Sequence, residues 1–198
     1  MRFWRRELYC RACRIEEFIK AFDDCDTENI IVLPNNKNII LAAKAAADVY
    51  ENAKVYVVET KNLMQGYGAL SVISPVIKDM DALVDSAKRA AQSVVDGEIT
   101  RAVRDAVVEG RQIKTGDFIA ISEGKIVATA DGAEAAVMNM LESIDTDLCE
   151  IITLFVGKDV CAECRAELVE ALKEQYDECE IVVYEGGQEI YDYLVAIE

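Results

Sequence analysis

The fold of this chain is decided by residues 29–68, which read NIIVLPNNKNIILAAKAAADVYENAKVYVVETKNLMQGYG. Two short runs rich in β-branched residues, 29–33 and 55–59, predict strands that are buried on both faces. Between them, an Ala-rich apolar segment over 39–50 predicts a helix, and Asn38 is a suitable N-cap for it. Strand, helix and strand in this order predict a βαβ unit with a right-handed crossover.

The polar segments that follow these two strands form the candidate binding site. In such sheets, ligands and partners meet the loops at the carboxyl ends of the strands, which here are residues 34–38 and 60–68. The residues that we expect to bind a partner or ligand are Asn35, Asn36, Lys37, Asn38, Thr60, Lys61, Gln65 and Gly66. Ending a strand and capping a helix need only one or two such side chains. A binding role and a purely structural role therefore both stay open.

The composition indicates a folded, acidic protein. Of the 198 residues 52% are hydrophobic, but no apolar run approaches the ~20 residues that a membrane-spanning helix needs. The formal net charge of −16 opposes binding to nucleic acid or to an anionic membrane, and it suits a partner with a basic patch. Histidine is absent, which excludes a histidine-based catalytic triad. Seven cysteines without a secretory signal predict reduced thiols in the cytoplasm.

The remaining pattern predicts two small lobes of α/β class. Residues 1–14 are basic and aromatic, follow no clear period, and are expected to be a poorly ordered start. A first lobe is predicted over residues 15–95 and a second over residues 96–198. We expect mainly parallel sheets in both lobes, with a central antiparallel hairpin in the second.

In the second lobe, four features support this fold class. Partial alternation of apolar residues predicts a strand over residues 98–108. Two apolar runs flanking Glu123 and Gly124 predict a β-hairpin over residues 118–129. A second βαβ unit is predicted over residues 150–184, and a short final strand over residues 191–197.

Two cysteine pairs are candidates for chemistry. Cys161 and Cys164 follow a predicted strand and open a predicted helix, where a thioredoxin-like redox pair would lie, because a helix N-terminus lowers the pKa of a thiol. Neighbouring carboxylates disfavour a thiolate there. With Cys10 and Cys13, the pair could nominally form a four-cysteine zinc site, although the two pairs lie at opposite ends of the chain. The alternative is four ordinary thiols, and we predict no catalytic residue, no metal site and no cofactor.

Several segments, in the same order along the chain, resemble a known family. They are NIIVLPNNKNIILAA, ETKNLMQGYGAL, EITRAVRDAVVEGRQIKTGDFIAISEGKIV and IVVYEGGQEIYDYLVAIE. Together they resemble the C-terminal region of the kinase subunit of bacterial fatty acid kinases, also described as dihydroxyacetone-kinase-like or DAK-phosphatase proteins. The resemblance covers residues 15–198. Residues 8–14, LYCRACR, stand where the family usually has a GGQTMNPS-like segment.

This resemblance implies a non-catalytic domain. In that family, an ATP-binding kinase domain with magnesium-binding aspartates lies N-terminal to this region, and we expect no part of that domain in this chain. The implied partners are a separate DegV-type fatty-acid-binding protein and, in a full-length member, the kinase domain. A homodimer is also compatible with the sequence.

The same segments are more distantly similar to the DegV-type lipid-binding proteins, in which two α/β lobes hold an acyl chain between them. There, hydroxyl groups from two loops bind the lipid carboxylate. This chain has asparagines in the first loop and Met64 where the second hydroxyl is expected, and burying a carboxylate without donors is costly. We therefore expect an interaction domain that binds the DegV-type protein. The alternative is a stand-alone lipid or small-molecule binding protein with its ligand between the lobes.

Overall fold

The structure is a computed structural model that describes residues 14–74, 76–77, 79–108, 111–144 and 149–198. It divides into two compact units, residues 1–93 and 94–198. Residues 1–13, which include Cys10 and Cys13, lie outside the described part. The prediction of a poorly ordered start over residues 1–14 falls there, except for Arg14, which is the N-cap of the first helix. Among the described residues, no helix has both the length and the apolar composition for crossing a bilayer.

Two parallel strands and four helices make up the described part of the first unit. These elements are α1 (Ile15–Asp23), β1 (Asn29–Val32), α2 (Ile40–Val49), β2 (Lys54–Val57), α3 (Leu63–Ser71) and α4 (Met80–Ser93). β1 and β2 pair in parallel, with Asn29 opposite Lys54 and Val32 opposite Val57. The predicted succession of strand, helix and parallel strand is confirmed.

Small residues explain how the helices of this unit pack. Ala43 and Ala46 of α2 are completely buried, and they pack with Phe18 and Phe22 of α1 against Ile30 of β1. Since alanine leaves little bulk between two backbones, the Ala-rich segment lets α2 lie close to its neighbours. A second cluster holds α3 against α4; its buried members are Val58, Ala69, Val84, Ala87 and Ala91.

The start of α2 differs from the prediction that Asn38 is its N-cap. The N-cap residue is Ile39, and no described side chain caps this end of the helix. The preceding loop closes as a turn around Asn36, whose Oδ1 accepts from the Asn38 backbone amide at 2.9 Å. The Asn36 carbonyl oxygen also accepts from the Ile39 amide at 3.2 Å. Asn36, rather than Asn38, therefore organises the entry into α2.

The second unit is built on a six-stranded sheet and two helices. Its elements are β3 (Val95–Arg101), β4 (Ala106–Val108), β5 (Arg111–Ile113), β6 (Phe118–Ser122), β7 (Lys125–Ala130), α5 (Ala133–Ser143), β8 (Ile151–Val156), α6 (Ala162–Gln175), β9 (Glu180–Glu185) and β10 (Tyr193–Ile197). The strand order in the large sheet is β7-β6-β3-β10-β8-β9, while β4 and β5 form a separate pair.

The α/β class is confirmed, but the expectation of mainly parallel sheets is wrong for this unit. Within the described sheet, only β8 and β9 run parallel; the other neighbouring pairs are antiparallel. Two of these pairs arise because β10 inserts between β3 and β8 and runs opposite to both. The other two arise because β6 pairs with β3 and then turns back into β7. Every residue of β10 is buried, as an apolar strand at the centre of a sheet requires.

The predicted strand over residues 98–108 is divided into two strands. β3 ends at Arg101, and the chain then leaves the large sheet before β4 begins. Ala102 marks the break, because its amide donates to the Asp117 carbonyl oxygen and its own carbonyl oxygen accepts from Gly116, both at 2.8 Å. The predicted hairpin is confirmed as β6 and β7. Positive φ angles at Glu123 and Gly124 (51° and 77°) give its two-residue turn the twist that a hairpin needs.

Glu98 lies half-buried in β3, opposite Leu194 of β10. Burial raises the pKa of its carboxyl group, a hydrogen bond with Tyr191 lowers it, and the charge of Asp96 raises it further. The net direction is upward, so the native state holds this proton more tightly than the unfolded chain does. The contribution of Glu98 to the free energy of unfolding is therefore fully present below the unfolded pKa of about 4.3. It is lost as the pH rises through the folded pKa.

A Glu98→Gln variant, which cannot ionise at this position, is expected to gain thermal stability relative to the wild type as the pH rises. Its midpoint temperature minus that of the wild type should increase between about pH 4 and about pH 7. Thermal unfolding followed by circular dichroism at the two pH values measures this difference. Glu180→Gln, on the exposed start of β9, is the matched control. If the midpoint temperature of Glu98→Gln minus that of the wild type stays constant or falls as the pH rises, the burial argument is contradicted.

Candidate functional site

Two hydrogen bonds between Asn35 and Thr60 tie the two predicted loops together. The Thr60 hydroxyl accepts from the Asn35 backbone amide at 2.9 Å and donates to Asn35 Oδ1 at 2.8 Å. Thr60 is completely buried, and Asn35 has a φ of 54°, a left-handed conformation that asparagine tolerates better than most residues. The carboxyl ends of β1 and β2 are thus held together. We call the surface formed by residues 34–38 and 60–66 the loop surface.

Gly66 in α3 makes room for the Asn35 side chain. A Cβ atom at position 66 would lie 2.0 Å from Asn35 Oδ1 and 2.7 Å from its Nδ2, distances that no side chain could occupy. The Asn35 carboxamide therefore fills the space between Thr60 and Gly66. A ligand atom has no room there unless Asn35 moves.

The second loop is fixed by Asn62 and Gln65, and it is shorter than predicted because α3 already begins at Leu63. Asn62 is the N-cap of α3, and its Oδ1 accepts from the Gln65 amide at 2.9 Å. The Gln65 side chain returns to accept from the Lys61 amide at 2.8 Å. This reciprocal pattern resembles a capping box. Sequence reasoning missed Asn62 as the cap, although Asn followed three positions later by Gln is the signal for it.

The predicted site residues therefore divide into two groups. Asn35, Thr60, Gln65 and Gly66 build the loop surface from within, through the contacts described above. The other predicted residues are exposed to solvent, and these are Asn36, Lys37, Asn38 and Lys61. Their role in binding stays a prediction.

Two exposed leucines lie directly after the loops. Leu41, in the first turn of α2, is 79% exposed, and Leu63, the first residue of α3, is 53% exposed. The loop surface therefore combines exposed cations, exposed amides and apolar side chains near its edges. Protein contact surfaces likewise combine apolar side chains with polar and charged groups.

The structure also corrects one expectation about the cysteines. Cys161 and Cys164 are joined by a disulfide bond, with their Cα atoms 5.3 Å apart at the start of α6. This separation is one that a disulfide can span, so the local geometry permits the bond that we did not expect. Cys25, Cys149 and Cys179 are free thiols. Among the described residues, no group of three or more potential ligands could hold a metal ion.

The sequence matches a known family over almost its full length. The family comprises the C-terminal region of FakA-like fatty acid kinase proteins, and it matches residues 11–198. Protein YloV of Bacillus subtilis (strain 168) is 34% identical over 185 residues, which is 92% of this chain and 33% of that protein. Protein SAR1202 of Staphylococcus aureus (strain MRSA252) is 33% identical over 187 residues, again 92% of this chain and 33% of the relative. The chain therefore belongs to the FakA-like fatty acid kinase C-terminal family, and it spans about one third of the length of these relatives.

Solved structures share the fold at low sequence identity. Fatty acid kinase B3 protein from Streptococcus pneumoniae, loaded with linoleic acid, has a TM-score of 0.66 at 12% identity; the match covers 94% of this chain and 76% of that one. A fatty-acid-binding DegV family protein from Thermus thermophilus has a TM-score of 0.65 at 14% identity, covering 93% and 77% of the two chains. The predicted resemblance to the DegV-type fold is confirmed.

The contact between Asn35 and Gly66 is testable by a double-mutant cycle. Gly66→Ala should lower the free energy of unfolding by about 1–3 kcal/mol, because its Cβ displaces the Asn35 carboxamide from Thr60. In an Asn35→Gly background, the same change should cost far less or stabilise. The Asn35 carboxamide, with which the new Cβ would collide, is absent from this background, and glycine accepts the left-handed φ at position 35. In addition, alanine is favoured over glycine in a helix by about 1 kcal/mol.

Urea unfolding of the wild type, both single variants and the double variant measures the coupling. An equal cost of Gly66→Ala in both backgrounds would show that Asn35 does not lie against Gly66.

Proposed function

We propose that this chain is a non-catalytic domain that binds a DegV-type fatty-acid-binding protein in the cytoplasm. Its role is to present that carrier to a kinase domain of the full-length protein, which phosphorylates the bound fatty acid for use in lipid synthesis. Membership of the FakA-like fatty acid kinase family supports this context. One fold neighbour is itself a fatty acid kinase component loaded with linoleic acid, and this supports the choice of partner.

The observation that carries the proposal is the Asn35–Thr60 pair, which holds two loops in one arrangement. A surface that is already ordered loses less conformational entropy on association, so more of the contact energy contributes to affinity. Because Asn35 itself fills the space above Gly66, the loop surface is better suited to contact another protein than to enclose a small ligand.

The charge of the loop surface indicates what the partner presents. The overall net charge of −16 suits a partner with a basic patch, but the loop surface differs locally, because Lys37 and Lys61 are exposed cations. Opposite charge across an interface increases the association rate and selects the partner. We therefore propose that the two lysines contact an acidic patch or the phosphate of an acyl-phosphate on the carrier. Leu41 and Leu63 would supply the apolar part of the contact.

A second candidate function is stand-alone lipid binding. The fold similarity to proteins solved with bound fatty acid favours it. The filled space between Thr60 and Gly66 argues against a carboxylate bound at the loop surface. Native mass spectrometry of the purified chain separates the two candidates, since a co-purified fatty acid would support lipid binding.

Removal of the two exposed lysines should weaken partner binding without unfolding the domain. We expect the wild type to bind a fatty-acid-loaded DegV-type protein from the same organism with micromolar affinity or better in a calorimetric titration. The Lys37→Ala/Lys61→Ala variant should bind about tenfold more weakly, a loss of about 1.4 kcal/mol. Its thermal midpoint should change little, because both side chains are exposed.

The matched control is Lys114→Ala/Lys125→Ala, which removes the same number of positive charges from exposed positions in the second unit. It should bind like the wild type if the effect is local. An equal loss in both variants would mean that overall charge, rather than the loop surface, governs binding. Absence of a saturable signal with the wild type would reject the proposed partner.

A further inference from the structure

The disulfide between Cys161 and Cys164 occupies an accessible position shortly after the carboxyl end of β8. Cys161 is exposed and Cys164 is half-buried, and the bond joins residues only three positions apart. Cys161 is the N-cap of α6, and its Sγ accepts from the Cys164 backbone amide at 3.0 Å. The bond therefore lies on the surface, directly at a helix N-terminus.

This bond contributes little as a structural staple. The stabilisation from a disulfide increases with the number of residues that it encloses, and this bond joins residues only three positions apart. α6 is held independently, because Leu168 and Leu172 are buried in the core of the second unit. Disulfides in reducing compartments are usually transient, and they serve catalysis or redox sensing rather than stability.

The local electrostatics also suit exchange chemistry. The helix N-terminus and the Cys164 amide favour negative charge on Cys161 Sγ. The neighbouring carboxylates Asp159 and Glu163 oppose it, as the sequence indicated, while the nearby cations Lys158 and Arg165 are engaged in ion pairs with other carboxylates. Lys158 pairs with Glu189 at 2.9 Å, and Arg165 pairs with Glu185.

We propose that Cys161 and Cys164 form a thiol–disulfide exchange site whose substrates are thiols, with Cys161 as the sulfur that is attacked. A thiolate attacks the exposed Cys161 Sγ; a new S–S bond forms, the Cys161–Cys164 bond breaks, and Cys164 leaves as a thiolate that takes up a proton. A second thiolate then attacks the external sulfur of the mixed disulfide and releases Cys161, which also takes up a proton. In total, two thiols are oxidised to one disulfide, and the protein pair gains two electrons and two protons.

The same unit contains a pair of thiols that serves as an internal control. Cys179 Sγ donates to the Cys149 carbonyl oxygen at 3.1 Å, and both residues are half-buried. Burial, together with a hydrogen bond and charge from Cys179, raises the pKa of Cys149 to about 12, so this thiol stays protonated and unreactive. Cys149 should therefore stay reduced under the mild conditions in which Cys161 and Cys164 exchange.

The test equilibrates the full chain with mixtures of reduced and oxidised glutathione, blocks free thiols with N-ethylmaleimide, and maps tryptic peptides by mass spectrometry. Trypsin cleaves after Lys158 and Arg165, so one peptide, DVCAECR, carries both cysteines and no other. Its disulfide fraction should change from nearly none to nearly complete across the series, while Cys149 and Cys179 stay reduced. A peptide that stays reduced in oxidised glutathione, or stays oxidised in excess reduced glutathione, would overturn the proposal.

Single variants identify the attacked sulfur. Cys164→Ser should accumulate a glutathione adduct on Cys161, at least about tenfold more than Cys161→Ser accumulates on Cys164. Serine at position 161 is itself a good N-cap, so α6 should stay folded in that variant, and circular dichroism checks this. Equal adduct formation on the two cysteines would overturn the assignment of Cys161. If glutathione adducts form on Cys149 as fast as on Cys161, the proposed selectivity for the Cys161–Cys164 pair is overturned.

Discussion

The hydrogen-bonded pair of Asn35 and Thr60 is the constraint on which the loop surface depends. It joins loops that are 25 residues apart in the sequence, and it satisfies a hydroxyl that is completely buried, where an unpaired polar group would be costly. The pair works only because Gly66 leaves space for the carboxamide. The residues that follow, from Asn36 to Asn38, are consequently held outward, in contact with solvent.

The fold that this domain shares with lipid-binding proteins does not by itself determine its role. Fold similarity at 12–14% identity establishes the architecture, but function depends on the groups that a site presents. At the loop surface, the Thr60 hydroxyl donates a hydrogen bond to the carboxamide oxygen of Asn35. In this chain, the Asn35 carboxamide therefore fills the space between Thr60 and Gly66.

Short-range sequence patterns were sufficient to predict some features of the structure and insufficient to predict others. The βαβ unit and the β6–β7 hairpin could be predicted because strand periodicity and turn chemistry act over a few residues. The prediction that Asn38 caps α2 was wrong. Asn36 competes with Asn38 for the same turn, and small differences in geometry decide between them. The division of the site residues into inner and outer groups could not be predicted, because it follows from a contact between distant loops. The bonded state of Cys161 and Cys164 likewise depends on redox conditions rather than on spacing.

The central place of β10 in the six-stranded sheet has a consequence for how the protein is made. β3 and β8 cannot find their common neighbour until the residues of β10, near the end of the second unit, have been synthesised. During translation, one edge of β3 and one edge of β8 therefore stay unpaired. This state favours aggregation and slows folding, because the contacts that complete the sheet are distant in sequence. The first unit, whose two strands are joined by one helix, is by contrast completely synthesised before β10. The order of synthesis thus places the loop surface ahead of the sheet that β10 completes.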